Sequence, residues 1–156
     1  MTREVQVRSG RLDSFAPDVA AALLAASPDL RVRAGRFAAE WAVATAGLRH
    51  PAFAGGSSDR VAALVDEHDE RYFGLSEARH AGQASDEDVV AAFGQARAAD
   101  AIGATLRGEP ADAISEAAAA ADDWSELRAS VLSLLAGAWT SRVVLARRAS
   151  EGPKGR

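Results

Sequence analysis

The chain contains no cysteine. Disulfides, thiolate zinc sites and thiol nucleophiles are therefore excluded. Its three histidines do not form a His-Glu-x-x-His zinc motif, and the set of ligands that a ferritin-like di-iron centre draws from four helices is not met. There is no glycine-rich phosphate loop followed by lysine, no dinucleotide fingerprint and no nucleophile elbow. Long apolar runs are missing too. The longest candidate, from Val131 to Leu145, is interrupted by Ser133, Thr140, Ser141 and Arg142, so it reads as a buried helix and not as a membrane span. Residues Met1 to Arg8 hold no apolar stretch of the secretory kind, and the expected location is the cytoplasm. An excess of positive charge is also lacking: the formal net charge is −4, which argues against a nucleic-acid-binding domain with a basic face.

What is present is alanine, at about a quarter of the 156 residues. Alanine has the best intrinsic helix propensity, and its small side chain lets helix axes approach closely. With 48% hydrophobic and 26% charged residues, the chain has the composition of a globular domain long enough to bury a core.

The apolar period is helical from Asp13 onward. Val5 and Val7 alternate as in a strand, but a lone strand has nothing to pair with, so residues 1–12 are expected to form an extended arm. A first helix is expected over 16–26. A second follows Ser27 as N-cap and Pro28 at the first helical position, and ends near Leu48. Its apolar face is Leu30, Ala34, Phe37, Trp41 and Leu48, with Arg33, Arg36 and Glu40 as a paired, solvated face. Residues 49–56 form the strongest interior break. Ser57 or Ser58 caps a third helix over 59–79. Ser85 with Asp88 forms a variant capping box for a fourth, over 86–107. A fifth opens at Pro110 and reaches about Ala121. A sixth is capped by Asp122 or Asp123 and reaches about Arg148, and residues 150–156 form a polar tail. The expected fold is all-α: one bundle of about six mostly antiparallel helices over 13–149.

With no motif to follow, the informative positions are polar residues on apolar helix faces. His68 interrupts the stripe Val61, Leu64, Val65, Tyr72, Leu75. Asp100 falls among Val89, Phe93, Ala96 and Gly103. Arg142 lies below Trp124, Leu127, Val131, Leu135 and Ala138. Charges on such faces must find partners, shift pKa or sit at the edge of the core. The candidate centre is therefore His68, Asp69, Tyr72, Arg97, Asp100 and Arg142, in which Asp100 meets Arg142 or His68. The plainer reading makes His68 a boundary histidine, Asp100–Arg142 a structural ion pair, and Trp41, Trp124 and Trp139 core residues. The acidic run Asp66-Glu67-His68-Asp69-Glu70 lacks the spacing and the central glycine of a calcium loop, so no metal is assigned. A basic end formed by Arg142, Arg147, Arg148, Lys154 and Arg156 suits a helix C-terminus.

Two functions follow as expectations. The first is a non-enzymatic helical module that binds another protein, as a regulator, adaptor or immunity-type inhibitor, with self-association as a further mode; it needs no cofactor, nucleic acid or membrane. The alternative is a small enzyme or small-molecule binder with a pocket around His68, Asp100 and Arg142.

Overall fold

Proline sets the first break. Pro17 has no N–H to donate and pushes the residue before it out of the helical region. Ala16 accordingly adopts φ −142°, ψ 65°, and what would be one helix divides into α1 (Gly10–Phe15) and α2 (Pro17–Ala25). The computed structural model describes residues 10–50, 53 and 55–137. Residues 10–12, expected in an extended arm, are thus the first turn of α1, and Leu12 is wholly buried.

The remaining helices start and stop where local chemistry directs them. α3 (Pro28–Ala46) opens with the Ser27 hydroxyl accepting from Leu30 N–H, and α4 (Ser58–His80) with Ser57 accepting from Arg60 N–H. α5 (Asp86–Leu106) has the full reciprocal box: Asp88 N–H donates to Ser85 Oγ at 3.1 Å, and Ser85 N–H to the Asp88 carboxylate at 3.3 Å. α6 (Pro110–Ala119) starts on proline. α7 (Ser125–Leu135) has Trp124 as its N-cap residue, while Asp123 accepts from both the Ser125 N–H and hydroxyl. Glycines at positive φ close the ends of α3 (Gly47, 70°) and α5 (Gly108, 73°), where a left-handed residue lets the last carbonyls find partners. Arg31 closes the end of α2 from outside, donating to the carbonyls of Leu23 at 2.8 Å and Leu24 at 2.7 Å.

One boundary departs strongly from expectation. α7 ends at Leu135, and Gly137 stands at φ 71°. A left-handed glycine past the last turn ends a helix even when the apolar pattern continues beyond it. The single helix expected to reach Arg148 therefore stops one-half of the way along. Trp139, Arg142 and the polar tail lie outside the described residues, as do residues 1–9.

The described residues contain seven helices and no strand, in a mostly antiparallel bundle. α3, α5 and α6 pack on one another; α7 lies against α3 and α2, and α1 bridges α2 and α6. α4 is placed differently, since its one substantial partner among the described helices is α5. The register is antiparallel, with Asp69 beside Arg97 and Arg79 beside Asp86.

The α3–α5–α6 seam is built from the smallest side chains. On α3 the wholly buried residues are Ala34, Gly35, Ala38, Ala39 and Ala42, while Leu30, Phe37 and Trp41 sit half-buried at its edges. α5 is buried through Ala96, Ala98, Ala99, Ala101 and Ala104. A Cβ built on Gly35 would lie 3.0 Å from both Cα and Cβ of Pro110, and one on Gly94 would lie 3.0 Å from the carbonyl oxygen of Ala120. Larger side chains fill the second layer, where Leu12, Val19, Leu23, Ile114, Leu127 and Val131 are buried. Ser115, the buried polar side chain of α6, donates to Ala111 O at 2.9 Å.

This packing predicts opposite signs for one substitution at two glycines. Gly35→Ala gains helix propensity but forces the rigid ring and backbone of Pro110 to move, for a net loss of about 1–2 kcal/mol. Gly74→Ala, on α4 with nothing within 4 Å of the new methyl, gains up to about 1 kcal/mol. Urea unfolding of both variants checks this, and equal shifts of the same sign would contradict it.

Candidate functional site

α5 runs between α4 and α6, and its polar residues decide what lies between those two neighbours. Arg97 and Asp100 are three residues apart on α5, so they share a face. That face meets Asp69 of α4 and Glu116 of α6. The Arg97 Nη2 lies 2.7 Å from Asp100 Oδ2 and 3.0 Å from Asp69 Oδ1, and its Nη1 lies 2.9 Å from Glu116 Oε2. The second oxygen of Glu116 accepts from Arg11 Nη1 of α1 at 2.8 Å. One guanidinium thus ties α5 to α4 and α6, and a second arginine ties in α1. The Arg97 plane also faces the Phe93 ring, 5.6 Å from its centroid, which suits a delocalised cation. Phe93 in turn meets Tyr72 edge-on at 5.3 Å.

Three carboxylates and two guanidiniums leave the cluster one negative charge in excess. All four inner side chains are largely withdrawn from water; Glu116, at 16% exposure, is the most buried carboxylate. Burial raises the Asp100 pKa most, Arg97 opposes it, and Asp69 and Glu116 add to the rise, which brings the group to about 6. Burial alone would lower Arg97, but Glu116, Asp100 and Asp69 outweigh it and the guanidinium is held more firmly charged. The Arg97 Nε is buried without a hydrogen-bond partner among the described residues. The arrangement is electrostatic cross-linking: it fixes α4 at one depth on α5, and it contains one carboxyl able to exchange a proton near neutral pH.

Of the six candidate residues, Asp69, Arg97 and Asp100 come together, and Tyr72 joins them through Phe93. Asp100 pairs with Arg97, its neighbour on the same helix, where Arg142 or His68 had been expected; Arg142 is outside the described residues. His68 sits against Phe53, with ring centroids 6.2 Å apart. Burial lowers its pKa most, Arg71 and His50 lower it further, and Glu67 and Asp69 oppose. Glu116 and Arg11 were missed. Glu116 is a lone acid in an alanine run, and on such a helix no stripe of large residues marks it as inward. Glu77 and His80 do stand at Glu-x-x-His spacing near the end of α4, where both are exposed and His80 Nδ1 lies 2.7 Å from Ser76 O. No group of three His, Asp or Glu side chains among the described residues converges to hold a metal ion. No described helix is long and apolar enough to cross a membrane.

Beyond Phe93 the same face turns apolar. Tyr72, Val89, Val90, Phe93, Ala119 and Ala120 line a shallow depression between α4, α5 and the end of α6. Val90 is 57% exposed, and Phe73, whose ring lies 5.3 Å from that of Tyr72, is 63% exposed. No family model matches the chain, and comparison with curated proteins and with solved structures finds no relative.

Two measurements probe the cluster. Because the Asp100 pKa is raised in the folded state, folding favours its protonated form, and that contribution is lost as pH rises from about 4 through about 6. Wild-type stability should therefore fall relative to Asp100→Asn across this window, by about 2 kcal/mol; a constant difference would contradict it. Arg97→Leu leaves three carboxylates facing one another and should cost about 2–4 kcal/mol at pH 7. The loss should shrink at pH 4, and an undiminished loss there would assign it to packing alone.

Proposed function

We propose that the chain is a non-enzymatic helical module that binds another protein through the α4–α5 face. The observation that carries this reading is the state of α4. It is 23 residues long, yet only Val61 is fully buried. Its half-buried stripe runs through Tyr72 and Leu75; Phe73, whose ring meets that of Tyr72, is exposed, and so is Val90 of α5, which lines the same depression as Tyr72. An exposed aromatic side chain next to a half-buried one, at the edge of an apolar depression, is a typical interface anchor.

Charge supports the same reading and suggests the sign of the partner. Residues 10–137 hold twenty Asp and Glu against eleven Arg. Glu70, Glu77, Asp86 and Glu87 are exposed on α4 and α5 near the apolar patch. A basic partner would be steered to this face and its encounter accelerated, as an acidic regulator or inhibitor requires. The alternative, an enzyme or small-molecule binder built around His68, Asp100 and Arg142, has less support, because Arg97 already engages the Asp100 carboxylate.

The tagged full chain should retain one stoichiometric protein from its native lysate, with retention weakening as salt rises. Phe73→Asp with Val90→Asp should abolish retention at an unchanged Tm, since both positions are exposed. Retention of the same protein by the double variant, or of none by the wild type, would refute the proposal.

A further inference from the structure

A second concavity lies on the other flank of α5, and its shape follows from the end of α3. Gly47, at φ 70°, reverses the chain there: Leu48 N–H donates to Val43 O and Gly47 N–H to Ala44 O. Leu48, Phe53, Gly55 and Gly56 line a concavity together with α3. The wall that α3 offers them is made of Ala39, Val43 and Ala44, which are too small to fill the gap. A cleft of about 480 Å³ results, closed by Leu48 and Phe53 on one side and by Ile102 and Leu106 of α5 on the other. That volume is in the range of small-molecule sites, which are typically apolar with a few placed polar groups.

The mouth of this cleft is charged against the trend of the molecule. Residues 10–137 carry an excess of nine acidic groups, yet the cleft is lined by Arg36 and Arg49 against the single acid Glu40. Arg36 and Glu40 approach only to 3.6 Å, with both side chains more than two-thirds exposed, so that pair holds Arg36 weakly. Arg49 makes no ion pair or hydrogen bond among the described residues and stands at the rim beside His50. An exposed guanidinium above an apolar floor is suited to a planar anion attached to an apolar body, through a bidentate, charge-assisted pair. An amine would meet two like charges at the same place.

We infer that this cleft is a binding site for a small organic carboxylate, with its hydrocarbon or aromatic part on the Val43–Phe53–Ile102–Leu106 floor and its carboxylate on Arg49. None of the five described candidate residues, His68, Asp69, Tyr72, Arg97 and Asp100, lines it, and it is independent of the α4–α5 face.

Octanoate is the probe, titrated into the full-length protein and followed by amide chemical shifts, with octylammonium as the cationic control. Octanoate should saturably shift the amides of Val43, Leu48, Ile102 and Leu106, and octylammonium should leave them in place. Arg49→Gln, in an exposed connection, should weaken octanoate binding about tenfold without changing Tm. Ala44→Trp, at an exposed position of the wall, should abolish it. The inference is overturned if octanoate shifts are absent or map elsewhere, if octylammonium binds the same amides equally well, or if Arg49→Gln leaves the octanoate affinity unchanged.

Discussion

The contact on which the rest of the molecule depends is the approach of α3 and α5 to α6, through residues with little or no side chain. Gly35 meets Pro110 and Gly94 meets the Ala120 carbonyl at separations that leave no room for a methyl group. Close approach of this kind replaces burial of large side chains with many short backbone and methyl contacts, each small and collectively substantial. It also fixes what the large residues can do. Trp41, Phe37 and Leu30 are held to the margins of α3, and the bulky core moves to the second layer around Leu12, Leu23, Ile114 and Leu127.

A seam this narrow has a consequence for α4. α5 also packs on α3 and α6, so α4 meets the face that remains, which carries Arg97 and Asp100 and, farther along, Gly103 near Val65. Attachment there combines a modest apolar strip with the Asp69–Arg97 pair. The charged cluster therefore stands where a hydrophobic core would hold a more central helix. An ion cluster of this depth specifies position more than it adds stability, because the cost of withdrawing the charges from water offsets much of their attraction. Among the described residues, none of the other helices packs substantially on the outer face of α4, and Phe73 and Val90 are exposed.

Much of this could be read in the residues, and the failures have physical causes. Helix starts were legible because caps are local: Ser27, Ser57 and the Ser85–Asp88 box each act within three residues. The end of α7 was not, since the apolar pattern runs on past Gly137 and a periodicity argument reads through the glycine that stops the helix. On α3 the apolar face was located to within about one position, but period alone does not say how near the neighbouring helix comes. That distance decides whether Ala38 or Trp41 is central. Asp100 stood out because it interrupts a stripe of larger apolar residues. Glu116 did not, because alanines on all sides of α6 give no contrast between inward and outward, and its contact with Arg97 spans nineteen residues.

The central claim is that a tightly seamed α3–α5–α6 unit carries α4 as a separately held helix. Native-state hydrogen exchange tests it most directly, because amides report the free energy of the smallest opening that exposes them. Amides of α5 and α6 should exchange only with global unfolding. Those of α4, including its middle turns, should exchange together through a smaller opening of lower free energy. Exchange of the middle of α4 at the same free energy as α5 would instead make α4 an integral part of the core.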